Sequence, residues 1–251
     1  AAAQTMGVAY AIHEQNAVLG RVNRVFAGRA GFVASGFERL DRLSAQGRKR
    51  HLLTGNPLRQ PILDARAAGY PPMTAKGRIN LLILGGSLGA RLLSEIVPAA
   101  IALLPESLRS RLDIVQQTRE DSLEMAREIY QSCGVNARCE PFFEDVGALY
   151  AAAHLVIGRA GASTVSEVAG VGRPAIFCPL AIAADDHQSA NVEGLVAALA
   201  ADVIPESDFT AERLAALLQT RLSNPADLAE RAAAARSLGR PDAAQALAKA
   251  V

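Results

Sequence analysis

The sequence predicts an α/β fold dominated by a doubly wound parallel sheet, and three observations predict it. From about residue 80 onward, short apolar runs alternate with alanine-rich helical stretches, the pattern of repeated strand-helix units. Two of those runs lead directly into glycine-rich turns followed by helical sequence. Alanine supplies 50 of the 251 residues while aromatics make up only 4%, so the apolar half of the chain suits many close-packed helices.

Residues 1–58 offer two strands, Gly31–Ser35 and His51–Thr54, and one helix, too little to bury a core of their own. Leu19, Val22 and Phe26, interleaved with Arg21, Arg24 and Arg29, have the spacing of a basic amphipathic helix within 17–30. A turn cluster at Gly55-Asn56-Pro57, or the loop around Tyr70-Pro71-Pro72, marks the boundary to a second unit. Beyond it, strands are expected at Asn80–Leu84, Asp113–Gln117, Ala137–Pro141, His154–Ile157, Pro174–Cys178 and Asp202–Ile204. Helices are expected near 89–103, 119–132, 145–152, 164–171, 187–199 and 211–222. The tail, 225–251, reads as two alanine-rich helices broken by Gly239-Arg240-Pro241.

Composition excludes several classes. With 50% hydrophobic and 20% charged residues the chain is globular rather than disordered. No run approaches the roughly 18 unbroken apolar residues of a membrane-spanning helix, and no secretory leader is visible, so a soluble cytoplasmic protein is expected. Cys133, Cys139 and Cys178 stand at no metal-ligand spacing and support neither a disulfide framework nor a zinc site. The chain opens on Ala-Ala-Ala and runs almost at once into a polar motif, which reads as a missing front end.

The net charge of +1 conceals a segment, 21–59, with nine Arg/Lys against Glu38 and Asp41. Such a segment meets an anionic partner, phosphate or lipid headgroup, or is a solvated face in an arginine-rich protein. Nucleic acid is not expected, because the rest of the chain is acidic and no base-stacking aromatic cluster accompanies the arginines.

Four places carry candidate chemistry. The turn Gly85-Gly86-Ser87-Leu88-Gly89 follows a buried strand, but it matches neither a dinucleotide fingerprint nor a nucleotide-triphosphatase loop. Gly158-Arg159-Ala160-Gly161-Ala162-Ser163-Thr164 repeats the theme. There Thr164 and Glu167 have the spacing of a capping box, while the functional alternative is a diphosphate on the backbone N–H groups of 162–164 with Glu167 accepting from ribose hydroxyls. Two such loops at the carboxyl ends of parallel strands are where open α/β sheets bind ligands. Asp185 and Gln188 again form either a capping box or, through Gln188, a partner for sugar hydroxyls; a metal reading of Asp185-Asp186-His187 is disfavoured. His13-Glu14-Gln15-Asn16 is an acid/base pair or a hydrogen-bonded strand-to-helix corner, and Arg59 a phosphate clamp or a surface arginine. No arrangement argues for a covalent nucleophile.

Taken in order, HEQNAVLGRVNR (13–24), TGNPLR (54–59), LILGGSLGAR (82–91), GRAGASTVSEVAGVGRPAIFCPL (158–180) and AADDHQSAN (183–191) resemble the MurG family. That family transfers N-acetylglucosamine in completing the lipid-linked precursor of bacterial peptidoglycan. The resemblance implies a GT-B type α/β fold, with one complete Rossmann-like parallel-sheet domain and the C-terminal part of a second. On this reading 1–58 is what remains of an acceptor and membrane-facing domain, 59–237 is the UDP-sugar domain, and 238–251 is a helix returning to the first.

It further implies UDP-N-acetylglucosamine as donor, an undecaprenyl-pyrophosphoryl-muramoyl-pentapeptide as acceptor, and a peripheral position on the cytoplasmic face of the membrane. Inverting transfer with no metal and no cofactor is the implied reaction. The family's donor contacts fall on Asn16, Arg59, Ser87, Phe143, Ala162, Ser163, Thr164, Val165, Ser166, Glu167 and Gln188. Glu167 would hold the ribose, the loop backbone the diphosphate, Gln188 the sugar hydroxyls, and Phe143 would present its backbone to uracil.

The chain departs from the family in lacking the opening glycine-rich loop with its histidine, in Ala181-Ile182 where a histidine is common, and in Gln116-Gln117 where His-Gln is common. The presumed catalytic base belongs to that missing N-terminal loop and is unassigned, with Glu14 the candidate present. A UDP-sugar epimerase of related fold and a UDP-sugar binding module without catalysis are the alternatives.

Overall fold

The computed structural model describes residues 2–74, 76–86, 91–181 and 186–251. The first lobe runs α1 (Ala2–Thr5), β1 (Ile12–Glu14), α2 (Arg21–Ala27), β2 (Val33–Ser35), α3 (Ala45–Arg48) and β3 (His51–Leu53). Its strands form a parallel sheet in the order β1-β2-β3, with Ile12 opposite Val33 and Val33 opposite His51. β1 is not one of the two strands expected in 1–58, although it supplies the strand of the strand-to-helix corner at 13–16. It is three residues long and two of them, His13 and Glu14, are polar, so only its pairing with β2 reveals it.

The second lobe begins with α4 (Gln60–Ala68), also unexpected, although Pro61 in its first turn is a recognised helix-start signal. It continues through β4 (Ile79–Leu84), α5 (Arg91–Ala102), α6 (Glu106–Arg109), β5 (Leu112–Gln117), α7 (Leu123–Ser132), β6 (Asn136–Glu140) and α8 (Val146–Ala152). Then follow β7 (Leu155–Gly158), α9 (Ala162–Val171), β8 (Ala175–Phe177), α10 (His187–Ala197), β9 (Ala201–Val203), α11 (Ala211–Leu222), α12 (Pro225–Leu238) and α13 (Ala243–Ala250). All six expected strands are present within two residues of their expected ends. They form one parallel sheet in the order β6-β5-β4-β7-β8-β9.

That order places β4 at the middle and sends the chain outward first one way and then the other, the doubly wound arrangement. Helices cover both faces, so the central strands are near-continuous apolar runs rather than alternating ones. One core joins Leu81 and Ile83 to Leu93, Val97, Tyr130 and Leu214; the other joins Leu82, Val156 and Phe177 to Ile62, Val165, Val168 and Leu195. Arg173, with no exposed surface, ties the second core together by donating to the carbonyls of Gly69, Tyr150, Ala151 and Gly172. Burial lowers its pKa to about 10.

Among the described residues the smaller lobe buries Leu19, Ala27, Ala30, Val33, Leu40 and Leu43 in a cluster of its own. Phe37 reaches out of it to pack on the second core of the larger lobe. The segment after α12 crosses back, so that a Cβ added at Gly55, where φ is +84°, would meet Arg240 Cβ at 2.8 Å and Ala243 Cβ at 3.2 Å. Among the described residues no helix is long and apolar enough to cross a membrane.

Candidate functional site

The sheet order locates the site before any side chain is considered. β4 and β7 are neighbours whose following helices lie on opposite faces, so the loops leaving their carboxyl ends part and open a crevice. Both glycine-rich turns leave from this point. After β4 the chain turns at Gly86, whose φ of +81° favours glycine. Gln117, from the end of β5, shapes that turn by accepting from Gly85 N at 3.1 Å and donating to Gly86 O at 3.3 Å. Ser87 lies outside the described residues.

After β7 the chain enters α9, which starts at Ala162, two residues earlier than expected. Its N-cap is Gly161 and no side chain caps it. The capping-box reading of Thr164 and Glu167 is therefore corrected: both residues lie inside the helix, because Gly158-Arg159-Ala160-Gly161 already makes the turn. The first intrahelical bond runs from Val165 N to Gly161 O at 3.0 Å, which leaves the N–H groups of Ala162, Ser163 and Thr164 to point out of the helix end. Such an end attracts anions. Val165 itself is buried in the second core, so only its backbone is available to a ligand.

Glu167 lies one turn further along, 15% exposed, and accepts from Arg59 Nη2 at 3.0 Å. Arg59 is the N-cap residue of α4, and its side chain is 66% exposed. Behind Glu167 stands Tyr150, fully buried; burial first, and then the nearby Glu167 charge, holds its phenol pKa well above the usual range.

The facing wall comes from the smaller lobe. A cleft of about 260 Å³ is lined by His13, Gln15 and Asn56 on that side and by Arg59, Ser163, Ser166 and Glu167 on the other. His13 Nε2 donates to Gly55 O at 3.0 Å. Glu14 is only 5% exposed, and its carboxylate accepts from Asn16 N at 3.1 Å, Gly20 N at 2.8 Å and Asn23 Nδ2 at 2.8 Å. It folds the loop between β1 and α2.

The structure thus brings Arg59, Ser163, Ser166 and Glu167 to one cleft; Asn16 follows Gln15 of its wall in the chain but is not itself part of the lining. Gln188, in the first turn of α10, uses its carbonyl oxygen to accept from Leu180 N at 2.9 Å and so holds the segment that follows β8. Asp185 lies outside the described residues. Phe143 follows β6 and lines a separate cavity of about 510 Å³ with Phe142, Glu144 and Asp145. Its side chain is buried beneath the Arg138 guanidinium, 5.0 Å from the ring centroid. Cys178 is buried and accepts from Arg159 Nη1; burial pushes its thiol up to about 12, which leaves it no nucleophile at neutral pH.

Several residues that build the site carry no motif in the sequence. Asn56 donates to Gln15 O at 2.9 Å and to Ser166 Oγ at 2.8 Å, stitching the two walls together. Asn191 accepts from Ala17 N and donates to Asn16 Oδ1 and Ala160 O. Arg159 bonds Glu206 at 3.0 Å, and Glu206 accepts from Ala181 N at 2.9 Å. That N–H, followed by Arg159, holds the Glu206 pKa below the ordinary glutamate range. The available signal for Asn191 was its place one turn after Gln188 on the same helix; for Asn56 it was a side chain inside a turn read only for its backbone.

Comparison with known proteins adds to this geometry. Residues 80–247 match the model of the Glycosyltransferase family 28 C-terminal domain. Over all 251 residues the chain is 76% identical to the UDP-N-acetylglucosamine--N-acetylmuramyl-(pentapeptide) pyrophosphoryl-undecaprenol N-acetylglucosamine transferase of Maricaulis maris (strain MCS10), of which it covers 68%. It is similar to the crystal structure of Acinetobacter baumannii MurG with a TM-score of 0.80 at 36% identity, covering 99% of this chain and 68% of that one. A Listeria monocytogenes structure described as a UDP-N-acetylglucosamine 2-epimerase aligns with a TM-score of 0.61 at 15% identity, over 97% of this chain and 67% of that one. That likeness is one of fold alone. The chain spans about two thirds of the length of the first two relatives.

Proposed function

The chain belongs to the MurG family of N-acetylglucosamine transferases, and from that premise we propose that its cleft binds UDP-N-acetylglucosamine for inverting transfer to a lipid-linked muramoyl-pentapeptide. One observation carries the reading: the uncapped start of α9 and the Glu167 carboxylate one turn on face the same cleft from the topological switch of the sheet. The diphosphate rests on the N–H groups of 162–164. Ribose hydroxyls donate to Glu167, and Arg59, released from that carboxylate, turns to the phosphates.

Gln188 keeps its amide nitrogen for sugar hydroxyls because its oxygen is committed to Leu180 N. Ser163, Thr164 and Ser166 add hydroxyls at the helix start, and the backbone at Phe143 meets uracil. Asn16 and Ser87 complete the contacts.

In the reaction the acceptor hydroxyl oxygen forms a bond to the anomeric carbon and gives up its proton to a general base, as the bond from that carbon to the diphosphate oxygen breaks. Negative charge develops on the departing UDP, where helix-terminal N–H groups and Arg59 stabilise it without a metal. Glu14 reads as a loop-holding residue rather than the base, because its oxygens already accept from Asn16, Gly20 and Asn23. Residues 1–58 serve the acceptor side, 59–237 the donor side, and 238–251 return to the first, a division supported by the contact of Arg240 and Ala243 with Gly55.

The Glu167→Ala variant tests the site. UDP affinity by calorimetry should fall at least tenfold, about 1.4 kcal/mol, and transfer should fall with it. Unchanged affinity and turnover would overturn the assignment. Isomerised donor in a reaction without acceptor favours the epimerase alternative, and UDP binding without transfer the binding module.

The membrane reading rests on α2. Val22 and Val25 are 70% and 74% exposed on the helix that carries Arg21 and Arg24, with Arg29 following. Apolar side chains rimmed by arginines suit the anionic cytoplasmic face of a membrane, where the protein sits peripherally. Flotation with anionic but not neutral liposomes, lost in Val22→Asp/Val25→Asp, is the expected result; equal flotation with both overturns it.

A further inference from the structure

Asn191 lies one helical turn beyond Gln188 on α10 and is only 2% exposed. Its oxygen accepts from Ala17 N at 2.8 Å, and its nitrogen donates to Asn16 Oδ1 at 3.2 Å and to Ala160 O at 3.1 Å. None of the three partners belongs to α10, so these bonds do nothing for the helix that carries the residue. They join the loop after β1, the turn that leads into the uncapped start of α9, and the helix that carries Gln188.

The direction of the bonds matters as much as their number. Because Ala17 N–H occupies the Asn191 oxygen, the Asn191 amide is locked with its NH₂ group toward Asn16 and Ala160. Asn16 must then turn its own oxygen to Asn191. Its NH₂ group points the other way, where one N–H meets Glu14 Oε1 at a long 3.5 Å and the second is left for an acceptor atom on a ligand. Asn191 is buried, so a flip of its amide would set donor against donor and acceptor against acceptor, and the orientation is held.

We propose that Asn191 is a positioning residue that acts through Asn16: it fixes the Asn16 amide with its donor side available to the UDP-sugar and keeps it in register with the 162–167 segment. This rests on the donor-site reading above. The test is a double-mutant cycle on UDP-N-acetylglucosamine affinity, measured by calorimetry with the 251-residue chain. Asn16→Ala and Asn191→Ala should each raise Kd about tenfold, and the double variant should bind no more weakly than the weaker single one.

Effects that multiply to about a hundredfold would show independent contributions and overturn the inference. So would an unchanged Kd in Asn191→Ala beside a weakened Asn16→Ala, with the donor site itself intact. An unchanged Kd in Asn16→Ala overturns the donor-site reading and this inference with it. If Asn191→Ala does not fold, Asn191→Asp takes its place in the cycle with the same expectations. It keeps the size and the acceptor for Ala17 N but sets an oxygen against Ala160 O.

Discussion

In the six-stranded lobe, helices on both faces leave Leu82, Ile83, Val156 and Ile157 at most 2% exposed, and two apolar cores lie back to back across the sheet. In the three-stranded lobe a single small cluster is buried, and much of what joins it to its neighbour is polar: Asn56 to Ser166, Asn191 to Ala17, and the exposed Arg39 to Glu193. Apolar burial is non-directional and scales with area, so it makes the larger lobe a stable frame for the residues at its sheet's switch point. Hydrogen bonds between buried amides fix orientation, which is what a cleft shared by two lobes requires.

Substitutions can break this comparison in a definite order. Leu82→Ala, in the central strand, should destabilise the chain by about 3–4 kcal/mol in urea denaturation, and Leu40→Ala in the smaller core by about 2 kcal/mol. Equal costs would show that the small cluster is as closely packed as the large one. Gly36→Ala comes next. Its added Cβ would lie 2.3 Å from Asn56 Oδ1, so Asn56 is pushed from Ser166, at an expected cost of about 1–3 kcal/mol. Thermal denaturation reads the loss, and faster amide exchange should concentrate where the lobes meet.

A smaller effect is set by pH. The folded-state pKa of Glu206 is lowered, so its contribution to stability is present above the ordinary glutamate value of about 4.3 and is lost as pH falls through the lower folded value. Glu206→Gln should remove that part of the acid dependence of the melting midpoint while leaving its slope near neutrality unchanged. The smallest effect concerns Arg39, which bridges Asp41 and Glu193 at the surface. Arg39→Ala should leave the melting midpoint where it was, because solvent screens such pairs. A clear drop would mean that the outer rim, and not the buried amides, couples the lobes.

Much of this architecture was legible because it is written locally. The apolar runs from Asn80 to Ile204 each became a strand of one sheet, and the turns after β4 and β7 fell at its switch point. The misses were short or polar elements. Ile12–Glu14 has too few residues for a period, and α4 offered only Pro61 and the buried pair Ile62 and Ala65 as signals. The Thr164 and Glu167 spacing pointed to a cap because a capping box and a helix interior share the same residue types. The glycine turn ahead of them decided the matter.

By itself the sequence determined which segments are strands and helices, where the backbone turns sharply enough to approach an anion, and through the order of its motifs the family. These are properties of near neighbours along the chain, set by side-chain period and by the torsional freedom of glycine. Only the tertiary structure decided which polar groups meet: Arg59 and Glu167 are 108 residues apart, Asn56 and Ser166 110, and Ala17 and Asn191 174. A lone asparagine leaves no periodic trace. Its partner is chosen when folding removes water and every buried donor must find an acceptor.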